Sequence, residues 1–224
     1  MKIGIVAALT LCAVGCGTLL RSIPPSKAPA GDSAMGGRSV PELAAAIEAA
    51  ATRSDHEADS KTRLELATRA SADADDCVAR EPRAAACQYG KALALGLEAR
   101  AHPTRAGELL TAMLARLGDA EAADPGYDEA GPARVRALVL TRAPGWPLGP
   151  GDAQAGLDAA HRAATLRPDY PPNLLALAEA SAKTGDPAAA RVAFERARAA
   201  AEAGPPSADR DDWLRQADAG LMAR

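Results

Sequence analysis

Four cysteines, three histidines and a cluster of aspartates are the side chains whose types could do chemistry. Cys77 and Cys87 stand ten residues apart on either side of Glu81-Pro82, where one helix should end and the next begin near Ala84. Across a tight helix turn two thiols come within the Cα separation that a disulfide needs. Closing so short a loop stabilises by roughly 2.5–3 kcal/mol in the chain-entropy model. Two buried free thiols, or half of a metal site, are the other uses of such a pair, although neither a nearby histidine nor a second cysteine pair completes a metal site. His56 lies between acidic residues at a helix junction, His102 precedes Pro103 in a turn, and His161 sits beside Arg162 on a helix face. No His-Glu-x-x-His occurs, and no serine or cysteine stands in a nucleophile turn. Asp73, Asp75 and Asp76 fall late in a helix, where its dipole disfavours them. They read as a solvated face, with a weak cation site as the alternative. No catalytic residue, metal or cofactor is expected, and the chain does not read as an enzyme.

Cys16 has a different chemistry. Met1-Lys2 is followed by the 13 residues Ile3–Gly15, which are apolar and end in Ala13-Val14-Gly15 directly before Cys16. A basic start, an apolar core and small residues before a cut form a secretory signal. As a helix this core spans about 20 Å, short of the roughly 30 Å hydrocarbon layer, so it reads as a removable signal and not a spanning helix. Cys16 in this setting resembles the cysteine of a bacterial lipobox, which receives lipid and becomes the first mature residue. Ala13 departs from the Leu most often found at the first lipobox position, and an ordinary signal with a coincidental cysteine is the other reading. Residues 1–15 are thus expected to be signal peptide and Cys16 a lipid anchor at the periplasmic face of an envelope membrane. Gly17 points to the outer membrane by analogy with enteric sorting. An oxidising periplasm favours a Cys77–Cys87 bridge.

The elements that must carry these groups are helical. Alanine fills the apolar fraction while aromatics make up only 3% of the chain, and alanine has the highest helix propensity and lets helices approach closely. No stretch alternates as strands do. With 26 basic against 29 acidic residues and no long run of either sign, a nucleic-acid partner is not expected. Residues 16–39 are rich in Pro, Gly and Ser and read as a flexible tether; residues 40–224 form the folded domain. Nine helices are expected: Pro41–Thr52, Glu57–Ala79, Ala84–Arg100, Thr104–Ala123, Pro132–Arg142, Asp152–Arg167, Pro171–Thr184, Asp186–Ala203 and Ser207–Ala223. In the second, Leu64, Ala67, Ala70, Ala74 and Cys77 share a face by 3–4 spacing.

Pro82, Pro125 and Pro168 each follow a helix at intervals of 43 residues, and Asp124-Pro-Gly-Tyr127 matches Arg167-Pro-Asp-Tyr170. A proline there biases its predecessor away from helix and closes each helix pair. Counting from Pro171, the residues Leu174, Leu177, Ala178, Gly185, Ala190, Phe194 and Ala197 fall where a tetratricopeptide repeat places its packing residues. The chain resembles tetratricopeptide-repeat (TPR) proteins over roughly 57–204, which implies an all-α, TPR-like solenoid of antiparallel helix pairs. An irregular alanine-rich bundle is the alternative. The last helix, with Trp213, Leu214, Ala217 and Leu221 in one stripe, reads as the cap that a solenoid needs.

Between Arg142 and Asp152 the chain runs Ala-Pro-Gly-Trp-Pro-Leu-Gly-Pro-Gly, where a tight turn between paired helices would do. A stiff insertion of this kind is a candidate binding loop, with Trp146 as its contact or else as a plug on the solenoid edge. Gly149-Pro150-Gly151 lacks the Gly-Lys-Ser/Thr of a phosphate loop. This loop, with Ala130-Gly-Pro-x-Arg134, Pro168-x-Tyr170-Pro-x-Asn173 and the cysteine pair ahead of Tyr89, resembles the T component of TRAP transporters over roughly 74–200. That resemblance implies an exported helical-repeat lipoprotein, a periplasmic solute-binding protein as partner, and room for a homo-oligomer. Tyr89, Arg134 and Asn173 begin three successive first helices, so repeat geometry should turn them toward the groove that would hold a protein partner. Inter-repeat packing is the other reading for Tyr89. The competing functions are a small-molecule or lipid carrier, favoured by a closed apolar cavity, and a general envelope-assembly scaffold.

Overall fold

The computed structural model describes residues 37–223; the signal peptide, Cys16 and most of the tether lie outside the described residues. Among the described residues nine α-helices follow one another: α1 (Val40–Asp55), α2 (Ser60–Arg80), α3 (Ala85–Ala101), α4 (Ala106–Ala123), α5 (Tyr127–Arg142), α6 (Ala153–Leu166), α7 (Pro171–Lys183), α8 (Pro187–Ala203) and α9 (Ala208–Met222). A 3-10 turn, Pro103–Arg105, leads into α4 where the sequence pointed to helix from Thr104. No β-strand forms among the described residues beyond one isolated bridge, Gly145 to Gly151.

The helix boundaries follow local chemistry. Asp59, Asp152, Asp186 and Ser207 each accept a hydrogen bond from the backbone N–H three residues on, capping α2, α6, α8 and α9. Ser39 and Glu42 form a reciprocal capping box at α1. The C-caps Glu81, Asp124 and Arg167 lie outside the helical region, each directly before one of the period-setting prolines. Gly185, at φ +87, ends α7, and Asp186 N–H returns to Ser181 O at 2.9 Å.

Consecutive helices pack antiparallel in pairs. Neighbouring odd-numbered helices also touch one another while even-numbered ones do not, so the stack curves with α1, α3, α5, α7 and α9 on its inner face. The seven repeat positions counted from Pro171 behave as that repeat requires. Leu174, Leu177, Ala178, Ala190 and Ala197 are buried, Phe194 packs against the same cluster, and Gly185 makes the turn. Helix α9 closes the end: Gly220 passes so near the Phe194 ring that a Cβ would lie 2.3 Å from it.

Two further details depart from the sequence expectation. In α2 it is Leu66 that is buried, with Leu64 exposed: Leu66, Ala67, Ala70, Ala74 and Cys77 share one narrow face, and Leu64 lies beyond its edge. Ahead of Pro132, Asp128, Glu129 and Ala130 take left-handed backbone angles (φ 47, 54 and 64), giving α5 an irregular first turn.

Candidate functional site

The odd-numbered helices run parallel, so the molecule has two edges. On one, the beginnings of α3, α5 and α7 meet; on the other, their ends meet, as the ion pairs Asp55–Arg100 and Arg142–Glu179 record. Arg38, from which the chain leads back toward Cys16, docks on the first edge by pairing with Asp73, while Arg80 donates to its carbonyl at 2.7 Å. The 143–152 loop stands on the opposite edge.

That loop is closed on itself. Gly151 N–H donates to Pro144 O at 2.9 Å, Leu148 N–H to Gly145 O at 3.1 Å, and Asp152 N–H to Leu140 O at 2.9 Å. Its glycines are needed for close approach: a Cβ on Gly151 would lie 2.0 Å from Ala143 O, and one on Gly149 2.8 Å from Pro144 O. The loop also rests on α4, with Leu148 O 2.9 Å from where a Gly107 Cβ would be. Two large apolar side chains are left in solvent, Trp146 at 91% exposure and Leu148 at 76%. Trp146 therefore plugs nothing. The Trp146–Pro147 peptide is cis.

Tyr89, Arg134 and Asn173 come together on the first edge around the left-handed turn. Arg134 is stretched along it, with Nη1 donating to Asp128 O and Glu129 O (3.1 and 3.2 Å) and to Asn173 Oδ1 (3.1 Å), and Nη2 donating to Asp128 Oδ2 (2.7 Å). The Asn173 amide donates to Glu129 O at 2.9 Å and to Ala163 O at 3.2 Å. The Tyr89 hydroxyl donates to Asp128 Oδ2 at 2.8 Å. All three side chains are buried. They fasten the repeats to one another, and Gly131 is required there, since a Cβ would stand 2.8 Å from the Tyr89 hydroxyl.

Tyr127, Tyr170, Trp213 and Glu48, which the sequence did not mark as site residues, complete the cluster. Tyr127 packs edge-on against Tyr89 (5.5 Å between ring centres) and donates to Glu48 Oε1 at 2.9 Å. Tyr170 packs edge-on against Trp213 at 5.7 Å, with the Arg134 guanidinium 5.3 Å from its ring centre. The matched Pro-Gly-Tyr and Pro-Asp-Tyr phrases were a signal for both tyrosines; nothing near Glu48 announces its partner. Burial raises the Tyr89 hydroxyl well above the ordinary phenol value, and burial with the Glu48 charge raises Tyr127. Glu48 is itself raised, by desolvation first, against the opposing Tyr127 hydrogen bond.

The inner face holds two hollows open to solvent, of about 390 and 470 Å³, separated by Leu138 and Arg142 of α5. Cys77 and Cys87 form a disulfide, fully buried, joining the last turn of α2 to the first of α3 with Cα atoms 5.2 Å apart. The three aspartates are spent on ion pairs, Asp73 with Arg38, Asp75 with Lys91 and Asp76 with Arg80. Among the described residues no cluster of His, Cys, Asp and Glu could hold a metal ion, and no helix is long and apolar enough to cross a membrane. The histidines are exposed.

This arrangement defines a TPR-like α-solenoid with a stiff apolar loop on one edge. A thermophilic TPR protein from Thermus thermophilus, known from its crystal structure, is similar in fold: TM-score 0.58 over 82% of this chain and 93% of that one, at 21% sequence identity. No protein-family model matches the chain, and no curated protein matches it significantly.

Proposed function

We propose that this chain is an interaction module of a bacterial envelope, anchored by lipid at Cys16 and holding a protein partner on the periplasmic side. The observation that carries the reading is the closed loop that leaves Trp146 and Leu148 in water. A large exposed aromatic on a rigid support is the type of residue that dominates protein interfaces, because little conformational freedom is lost on binding. Within the helical domain the loop stands on the edge opposite the Arg38–Asp73 contact. Open hollows, with no enclosed cavity among those described, favour a protein over a wholly engulfed cargo.

The resemblance to TRAP T components makes a periplasmic solute-binding protein the partner of choice, and places the module beside a solute uptake system. Tyr89, Arg134 and Asn173 serve this reading by fixing the angle between repeats. The test is crosslinking in intact envelopes of the chain tagged at Arg224, beside a Trp146→Ala control. Recovery of a solute-binding protein, reduced in the control, is the expected result. Recovery of envelope-assembly proteins would replace the uptake reading with a general scaffold, and capture of nothing would defeat both. The anchor is tested separately: Cys16→Ala should release the protein from membranes, and full retention would refute lipidation.

A further inference from the structure

The outer face carries a groove that the packing of the inner face leaves open. Helices α6 and α8 do not touch, and α7 floors the gap between them with Leu174, Leu177 and Ser181, spaced three and four residues apart on one helix face. Between α4 and α6 the equivalent gap is bridged, Arg162 donating to Glu121 at 3.1 Å. Between α6 and α8 no ion pair crosses among the described residues. Two hollows of about 400 and 550 Å³ lie there instead, end to end along α8, with Arg196 lining both. Their α8 wall, from Ala188 to Ala203, is about 22 Å long at 1.5 Å per residue.

Ala189 and Val192 lie on one side of Arg196, Ala199 and Ala203 on the other, and Val192 is 55% exposed. Ser181 is 3% exposed, and its hydroxyl enters no hydrogen bond among the described residues. Charge alternates along the groove: Asp186 at the start of α8, Arg196 in the middle and Asp169 at the far end. Of the three arginines on α8, Arg191 pairs with Glu195, and Arg198 with Glu202 and Asp218. Among the described residues Arg196 meets no carboxylate and reaches only the Pro168 carbonyl, at 3.4 Å. Asp186 spends one oxygen on the Ala189 N–H as the helix cap, and Asp169 pairs with no cation among the described residues. His161 is the remaining titratable side chain on the rim.

We infer that the groove between α6 and α8 binds an extended segment of a protein partner, about seven residues long, acidic at its centre, apolar on either side and basic at its ends. At about 3.3 Å per residue such a segment matches the length of the wall. Its central carboxylate takes the guanidinium that α8 leaves unpaired, its apolar side chains fill the two hollows, and its basic ends meet Asp186 and Asp169. Small walls let the bound backbone come close, where the Ser181 hydroxyl is free to donate to one of its carbonyls. The groove shares no lining residue with the Trp146 loop.

Fluorescence anisotropy of the full chain with two end-blocked, dye-labelled peptides tests this, one Lys-Leu-Thr-Glu-Thr-Leu-Lys and the other with lysine in place of the central glutamate. The first should bind saturably at one site and the second at least about tenfold more weakly, although the chain's net charge of −3 favours the second. Arg196→Gln should weaken the first by about tenfold. Arg196→Glu should make the chain prefer the second, a reversal that loss of folding cannot mimic. Ala199→Trp, which fills one hollow from an exposed position, should abolish binding, whereas Trp146→Ala should leave it unchanged. Equal binding of the two peptides, no saturable binding, or indifference to Arg196→Gln and Ala199→Trp would overturn the proposal. So would displacement of the peptide by an equal concentration of acetate or inorganic phosphate, which would assign Arg196 to a small anion. Self-association of the chain that Ala199→Trp abolishes would overturn it too, giving the groove to a second copy.

Discussion

Arg134 on α5 and Asn173 on α7 meet at 3.1 Å, and both donate to the carbonyl of Glu129. Three consecutive left-handed residues without a glycine cost about 1–2 kcal/mol each. Arg134 donates to Asp128 O and Glu129 O and Asn173 to Glu129 O, so this pair supplies side-chain donors to the carbonyls of the turn. One repeat therefore holds the first turn of its predecessor.

Removing either donor should be expensive. Asn173→Leu leaves Glu129 O and Ala163 O without this partner, and Arg134→Met leaves Asp128 without its cation. Each should lower stability by about 2–4 kcal/mol in urea unfolding. A loss under about 1 kcal/mol would show that the turn stands unaided.

The Cys77–Cys87 bridge closes a ten-residue separation between two helices whose packing already holds them together. Alkylation in denaturant without reductant should modify neither residue. Replacing both with Ala should cost about 2.5–3 kcal/mol, most of it through the unfolded chain. Full alkylation at both positions would refute the bridge.

Glu48 gives the fold a pH dependence of defined sign. Its folded-state pKa lies above the ordinary glutamate value because half-burial penalises the carboxylate, with Asp128 adding to the rise and the Tyr127 hydrogen bond opposing it. A raised folded pKa contributes stability that is fully present below the unfolded value and lost as pH rises through the folded one. Glu48→Gln keeps an acceptor for Tyr127 and removes that loss. Melting temperatures of the two proteins should therefore diverge as pH rises from about 4 toward about 7, the variant gaining on the wild type. A gap of the opposite sign would refute the assignment.

Trp146 should fluoresce as a solvent-exposed indole and be readily quenched by acrylamide in a Trp213→Phe background. Gly151→Val, whose Cβ would collide with the Ala143 carbonyl, should open the loop and cost about 1–3 kcal/mol. Partner capture should fall as far as it does for Trp146→Ala if rigidity of the loop, and not the indole alone, makes the contact.

Helices, pair boundaries and repeat were legible in the chain because they depend on neighbours in sequence. Alanine propensity, Asp186-Pro187 as cap and first helical residue, and a proline every 43 residues act within a turn or two of where they stand. The packing positions counted from Pro171 were legible for the same reason. What Tyr89, Arg134 and Asn173 touch was not. Arg134 and Asn173 are 39 residues apart, and the turn they hold has left-handed angles at Asp128, Glu129 and Ala130 that no local propensity selects. That conformation exists only because donors from α3, α5 and α7 converge on it. The same holds for Trp146: composition marked a stiff loop, but whether its indole packs or projects was decided by where Leu148 and Gly107 meet once α4 and α5 are side by side. Short-range hydrogen bonding and chain stiffness are written residue by residue, whereas burial and exposure belong to pairs of surfaces that come together only on folding.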